Sequence, residues 1–163
     1  MRRRATTVLS AAAVAALAAT AVAAVPSAAG AAAKYTVQTL HFSVRTGPDG
    51  STPCDIIGDL YTPASAGATH RVPAILTTNG FGGSKDDQAG IAKALAVHGY
   101  EVLSYSGLGF GGSGCKITLD DPSYDGKAAS QLVSYLGGAP GIAYTDAAHT
   151  TPARRATTTR GSG

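Results

Sequence analysis

Residues 72–114 read VPAILTTNGFGGSKDDQAGIAKALAVHGYEVLSYSGLGFGGSG, and the hydrophobic rhythm changes twice within them. Val72 to Thr78 is a nearly continuous apolar run, as expected of a strand buried on both faces. Ser84-x-x-Asp87 has the form of a capping box, and Ile91, Ala92, Leu95 and Ala96 follow it at helical spacing on one face. Gly99 stands where a left-handed helix cap belongs, with His98 in the last turn beside the negative helix end. Glu101 to Tyr105 is the next strand, and a glycine loop follows it. Strand, helix and strand in this order make a βαβ crossover.

Upstream, Tyr35 to Arg45 and Asp55 to Tyr61 are β-rich runs separated by the turn segment GPDGSTP, which predicts an antiparallel pair. Downstream, Asp121-Pro122 has the N-cap and first-turn pattern of a second helix. Ala129, Leu132, Val133 and Leu136 make its expected buried stripe, and Gly137-Gly138 ends it. The order is β-β-β-α-β-α. It predicts an α/β fold with a mixed sheet and helices on both faces. After Gly138 the chain runs through APGIAYTDAAHTT into PARRATTTRGSG, so residues 147–163 read as a disordered low-complexity tail.

The first 33 residues are expected to be targeting, not fold. Arg2, Arg3 and Arg4 precede an Ala/Val-rich run from Val8 to Val25, and Ala31 and Ala33 give a small-residue cleavage site before Lys34. A retained membrane anchor is the rival reading of that run. Alanine supplies little insertion energy and a cleavage site follows directly, so export with cleavage is preferred and no membrane contact is expected afterwards. The chain carries 13 basic and 10 acidic residues. Three of the basic ones are Arg2–Arg4, so the remainder is balanced and carries no nucleic-acid footprint. Two cysteines remain, Cys54 and Cys115. An even count in an oxidising compartment favours a disulfide over two free thiols, although spacing alone does not bring the two together.

Few residues carry candidate chemistry. NGFGGS at Asn79–Ser84 follows the apolar strand and precedes a helix, a position from which backbone N–H groups can face an oxyanion. Donors so placed are worth about 3–4 kcal/mol of barrier. A plain tight turn is the alternative. Gly107, Gly109 and Gly112 match G-x-G-x-x-G, but strands precede them and the next helix starts only near Asp121, so no dinucleotide is expected. His41, His70, His98 and His149 show no metal-ligand spacing. The doublets Asp86-Asp87 and Asp120-Asp121 sit at helix starts and read as caps. No cofactor and no metal are expected. A serine nucleophile of the elbow type needs G-x-S-x-G; Ser84, Ser106, Ser113 and Ser162 all fail that test.

The run from Ile75 to Gly138, with its NGFGGS and S-x-x-G-F-G-x-S-G-C-K-I pieces, resembles exported actinobacterial proteins. They belong to the Xaa-Pro dipeptidyl-peptidase (peptidase S15) and cocaine-esterase-like group. The likeness covers about Tyr35 to Asp146 and implies the N-terminal half of an α/β-hydrolase fold over residues 34–146. It implies a Ser-Asp-His enzyme acting on small peptide or ester substrates, with the backbone of Phe81 or Gly82 as oxyanion donor. In relatives a longer linker leads to a strand ending in a G-G-S-Y-G-G elbow, then to a cap and a C-terminal domain. This sequence departs from that pattern near Pro152, where its Arg/Thr/Ala/Gly composition looks like a high-GC reading frame entered after a frameshift. The expectation is a secreted fragment that lacks the triad and does not catalyse. The alternative is a small secreted binding or scaffold protein.

Overall fold

The computed structural model describes residues 32–154, so most of the expected signal peptide and the tail beyond Arg154 lie outside the described residues. Five strands form one mixed sheet: β1 (Tyr35–Thr46), β2 (Thr52–Pro63), β3 (Ala74–Thr78), β4 (Glu101–Tyr105) and β5 (Ala143–Tyr144). Their spatial order is β3-β4-β2-β1-β5. β1 and β2 pair antiparallel over their whole length, β2 pairs antiparallel with β4, and β4 pairs parallel with β3. The mixed sheet and the succession of its first four strands and two helices agree with the α/β half-sheet expected from the sequence.

Alternation along the hairpin decides which side chains meet. Leu40, Phe42 and Val44 of β1 and Cys54, Ile56 and Leu60 of β2 are buried in one cluster. Helix α2 (Lys127–Leu136) closes that cluster with Ala128, Leu132 and Tyr135. The Tyr135 ring meets Phe42 edge-on, centroids 5.1 Å apart. Residues of opposite parity, Tyr61 and Val102, pack against Ala92 and Ala96 of helix α1 (Ala89–Val97) in a second cluster. Helices therefore cover both faces.

The helix ends follow local chemistry. Ser84 and Asp87 form a reciprocal capping box around a single 3₁₀ turn (Lys85–Gln88) that leads into α1. A side chain at Gly83 would overlap the Asp87 carboxylate, so the cap requires glycine there. Gly99 takes φ of +91° and ends α1. Asp121 accepts from the Ser123 N–H, and Pro122–Gly126 forms a π-type turn before α2.

Four expectations need correction. The apolar run around Ile75 is not buried on both faces: β3 is an edge of the described sheet, with Ala74 and Thr78 exposed and the residues between them half-buried. Ile91 is exposed although its periodicity placed it on the buried face of α1. In α2, Val133 is 57% exposed, and Ala128 and Tyr135 take the core positions assigned to Ala129 and Val133. The expected stripe treated every apolar residue as inward, whereas the sheet covers a narrower band of the helix.

The fourth concerns the segment after Asp146, which was expected to lose order near Ala147. It is folded back on the sheet as far as Ala153. Thr145 donates to Thr151, Ala153 donates to Ala143, and Tyr144 bridges Pro152. The Asp146 carboxylate holds the turn by accepting from the N–H groups of Thr150 and Thr151.

Candidate active site

β3 and β4 run parallel, so both deliver their C-terminal ends to the same edge of the sheet. The loop from Asn79 leaves one and the loop from Ser106 leaves the other, an arrangement in which α/β sheets bind ligands. Ser106 locks the two loops together. Its buried hydroxyl accepts from the Lys85 N–H at 2.9 Å and donates to the Gly111 carbonyl at 3.3 Å. Asn79 adds a second tie, its Oδ1 accepting from the Gly107 N–H at 2.8 Å.

Between the loops lies a cavity of about 230 Å³, lined among others by Asn79, Phe81, Tyr105, Phe110, Asp120 and Asp125. Phe81 is 82% exposed and meets Phe110 edge-on at 5.6 Å, forming the rim. Neither the Phe81 nor the Gly82 N–H has an acceptor among the described residues, and Gly82 takes φ of +78°. Of the two candidates, Phe81 lines the cavity and Gly82 follows it in the same loop, each with its N–H unused. Burial pushes the Tyr105 hydroxyl pKa up; a Thr78 hydrogen bond opposes the shift, and the charges of Asp125 and Asp120 add to it.

Lys85 supports the first loop from behind. Its ammonium lies 2.9 Å from both Asp59 and Asp86. Burial alone would lower its pKa, but the hydrogen bonds to Asp86 and Asp59 and their charges raise it above the ordinary lysine value. The lysine is thus held charged and is a brace, not a base. Asp86 pairs with it, and Asp87 and Asp121 serve the caps. Asp120 instead stands on the cavity wall with φ of +64°.

The second glycine loop returns to β2. Ser113 bridges Ser106 and Ile57, and the Gly114 N–H donates to Asp55. Cys54 and Cys115 then form a disulfide across 61 residues, with Cα atoms 5.7 Å apart.

One grouping had no sequence signal. His41 Nδ1 lies 2.9 Å from Asp55 Oδ2, and His149 Nε2 lies 2.8 Å from Asp55 Oδ1. His41 and Asp55 are diagonal neighbours on the β1–β2 ladder, while His149 arrives 94 residues after Asp55 on the folded-back segment. His149 also packs on Tyr144, rings 4.9 Å apart. Two imidazoles that share one carboxylate form an orienting pair. No serine hydroxyl hydrogen-bonds either ring among the described residues, so the group is not a triad. His70 lies on a loop and His98 caps α1. Among the described residues no group of three or more potential ligands could hold a metal ion, and no helix is long and apolar enough to cross a membrane.

No protein-family model matches the chain, and no curated protein matches it significantly. Solved structures do. The chain is similar to a hypothetical protein, PA2218, from Pseudomonas aeruginosa, at 25% identity and a TM-score of 0.53, over 66% of this chain and 32% of that one. It is also similar to the α/β hydrolase GrgF from Penicillium sp. sh18, at 23% identity and 0.49, over 66% and 34%. A probable hydrolytic enzyme from Pseudomonas aeruginosa PAO1 matches at 21% and 0.46, over 66% and 32%. The chain spans about a third of the length of these structures. With the observed strand order, the fold class is α/β, a mixed half-sheet with a helix on each face.

Proposed function

We propose that this chain carries the oxyanion half of a secreted serine hydrolase of the peptidase S15 or cocaine-esterase-like type, whose substrates are small peptides or esters. The observation that supports this most directly is the unused N–H of Phe81, which lines the cavity, beside the equally unused N–H of Gly82 in the same loop. In an acyl-transfer enzyme such donors face the oxygen that becomes negative as the carbonyl is attacked. The attacking group must come from a strained strand-to-helix elbow. The 163 residues contain no G-x-S-x-G, so this chain polarises a carbonyl without supplying the nucleophile that forms an acyl-enzyme.

Assay of residues 34–163 on a p-nitrophenyl ester and on an Ala-Pro chromogenic amide is expected to give no turnover above buffer. Turnover abolished by a serine-directed inhibitor would overturn the reading. A second reading, a secreted binding protein without catalysis, draws support from the two packed clusters and the disulfide. It requires a single cooperative thermal transition, and a melt without one would remove it.

A further inference from the structure

The loop that carries Cys115 is held to the sheet unevenly. Up to Gly114 it is stitched to β2 by backbone and serine hydrogen bonds. From Cys115 to Asp120 it is held by the disulfide, by a hydrogen bond from the Thr118 hydroxyl to Asp125 at 2.6 Å and by a 3.5 Å contact of Cys115 Sγ with the Pro53 carbonyl. Three non-glycine residues of this short run hold positive φ: Cys115 at +69°, Leu119 at +49° and Asp120 at +64°. Such conformations persist only where the surroundings impose them. Here the covalent bond is the strongest imposing element.

The two sulfurs differ in access. Cys54 is 5% exposed, whereas Cys115 is exposed and lines a groove of about 370 Å³ with Thr52, Lys116, Thr118 and Tyr124. The buried sulfur has a hydroxyl waiting. Thr46 Oγ1 lies 3.3 Å from Cys54 Sγ and 3.3 Å from the Thr52 carbonyl. A bonded Cys54 carries no proton, so Thr46 is the only possible donor of that pair. If Cys54 departs as a thiolate, it becomes the stronger acceptor and draws the Thr46 proton from the carbonyl.

We propose that the Cys54–Cys115 bond is a thiol-exchange site, in which a small anionic thiol enters the Lys116 groove and attacks Cys115 Sγ. The incoming thiolate's electron pair forms the new S–S bond to Cys115. The old S–S pair leaves on Cys54, which Thr46 stabilises and solvent then protonates. A second thiol attacks the added sulfur, releasing Cys115 as a thiolate and the two thiols as their disulfide. The protein gains two electrons and the thiols lose two. Residues 115–120 are then freed, and with them Leu119 and Asp120, which wall the cavity between the glycine loops.

The test treats the full chain, without denaturant, with glutathione or with neutral 2-mercaptoethanol, and follows adducts by peptide mass and amide exchange by residue. The expected adduct is on the Cys115 peptide. After reduction, amides 115–120 exchange at least tenfold faster while those of Leu103 to Tyr105 are unchanged. Lys116→Glu is expected to slow opening by glutathione several-fold more than opening by 2-mercaptoethanol, whose thiolate carries less negative charge, and Thr46→Val to slow both. An adduct on Cys54, reduction only when sheet and loop amides exchange together, or an equal effect of Lys116→Glu on both thiols overturns the proposal.

Discussion

The two ends of the sheet are built on opposite terms. At the β1 end the chain closes its own edge: β5 pairs with β1, the segment to Ala153 folds over it, and His149 reaches Asp55. At the β3 end nothing among the described residues covers the outer edge. There Ala74 and Leu76 border a groove of about 330 Å³ with Val133 and Leu136 of α2. The closed end carries the polar group of His41, Asp55 and His149, and the open end carries the apolar run from Val72 to Leu76. An apolar strand at an uncovered edge invites pairing with further chain. The difference shows that burial potential and burial achieved are separate properties of a strand, and that the second depends on what lies beside it.

Substitutions sharpen this contrast. Phe42→Ala, at the closed end, removes a fully buried ring that packs on Tyr135. It is expected to lower the unfolding free energy by about 4 kcal/mol in a denaturant titration. The double change Cys54→Ala with Cys115→Ala releases a 61-residue closure and should lower it by about 3 kcal/mol in the same experiment. Asp55→Asn leaves an amide that accepts from one imidazole but not as a carboxylate from two. The expected loss is about 1.5 kcal/mol, reduced by the partial exposure of all three groups. Leu76→Ala, at the open end, should lose only about 1 kcal/mol, because half-buried leucine leaves little cavity. A loss from Leu76→Ala equal to that from Phe42→Ala would mean that the β3 edge is covered in solution.

What the sequence made legible was local. Ser84 with Asp87, Gly99, and Asp121 with Pro122 lie within one turn of the groups they satisfy, so spacing alone announced them. The succession of elements was legible for a similar reason, since each run of periodicity is bounded by its own turn residues. Side chains whose partners are remote were not legible. The pairing of His149 with Asp55 depends on a fold-back that no periodicity encodes, and its residues look like tail composition. The inward position of Tyr135 depends on Phe42 offering an edge-on partner, which no helical count supplies. At the candidate site the loop of Phe81 and Gly82 was singled out by its glycine motif, whereas the brace of Lys85 on Asp59 had no sequence signal.

The mildest test acts on the fold-back itself. Hydrogen bonds from Thr150 and Thr151, opposed by burial, hold the Asp146 carboxyl down to about 2 from an ordinary 3.8. A carboxylate whose pKa is lower when folded stabilises the fold at pH above its unfolded value, and that contribution disappears as pH falls through the folded one. The turn is therefore expected to be intact above about pH 4 and to loosen as pH drops towards 2. Because Asp146 is a surface group, the change should appear as faster amide exchange at Thr150 and Thr151 and not as a shift of the whole melting curve. Asp146→Asn should show the loosened turn at neutral pH and lose the acid dependence. If the Asn variant kept slow exchange at both amides, the closed end would be held by His149 and the β5 pairing alone, and the contrast between the two ends would rest on fewer groups than proposed.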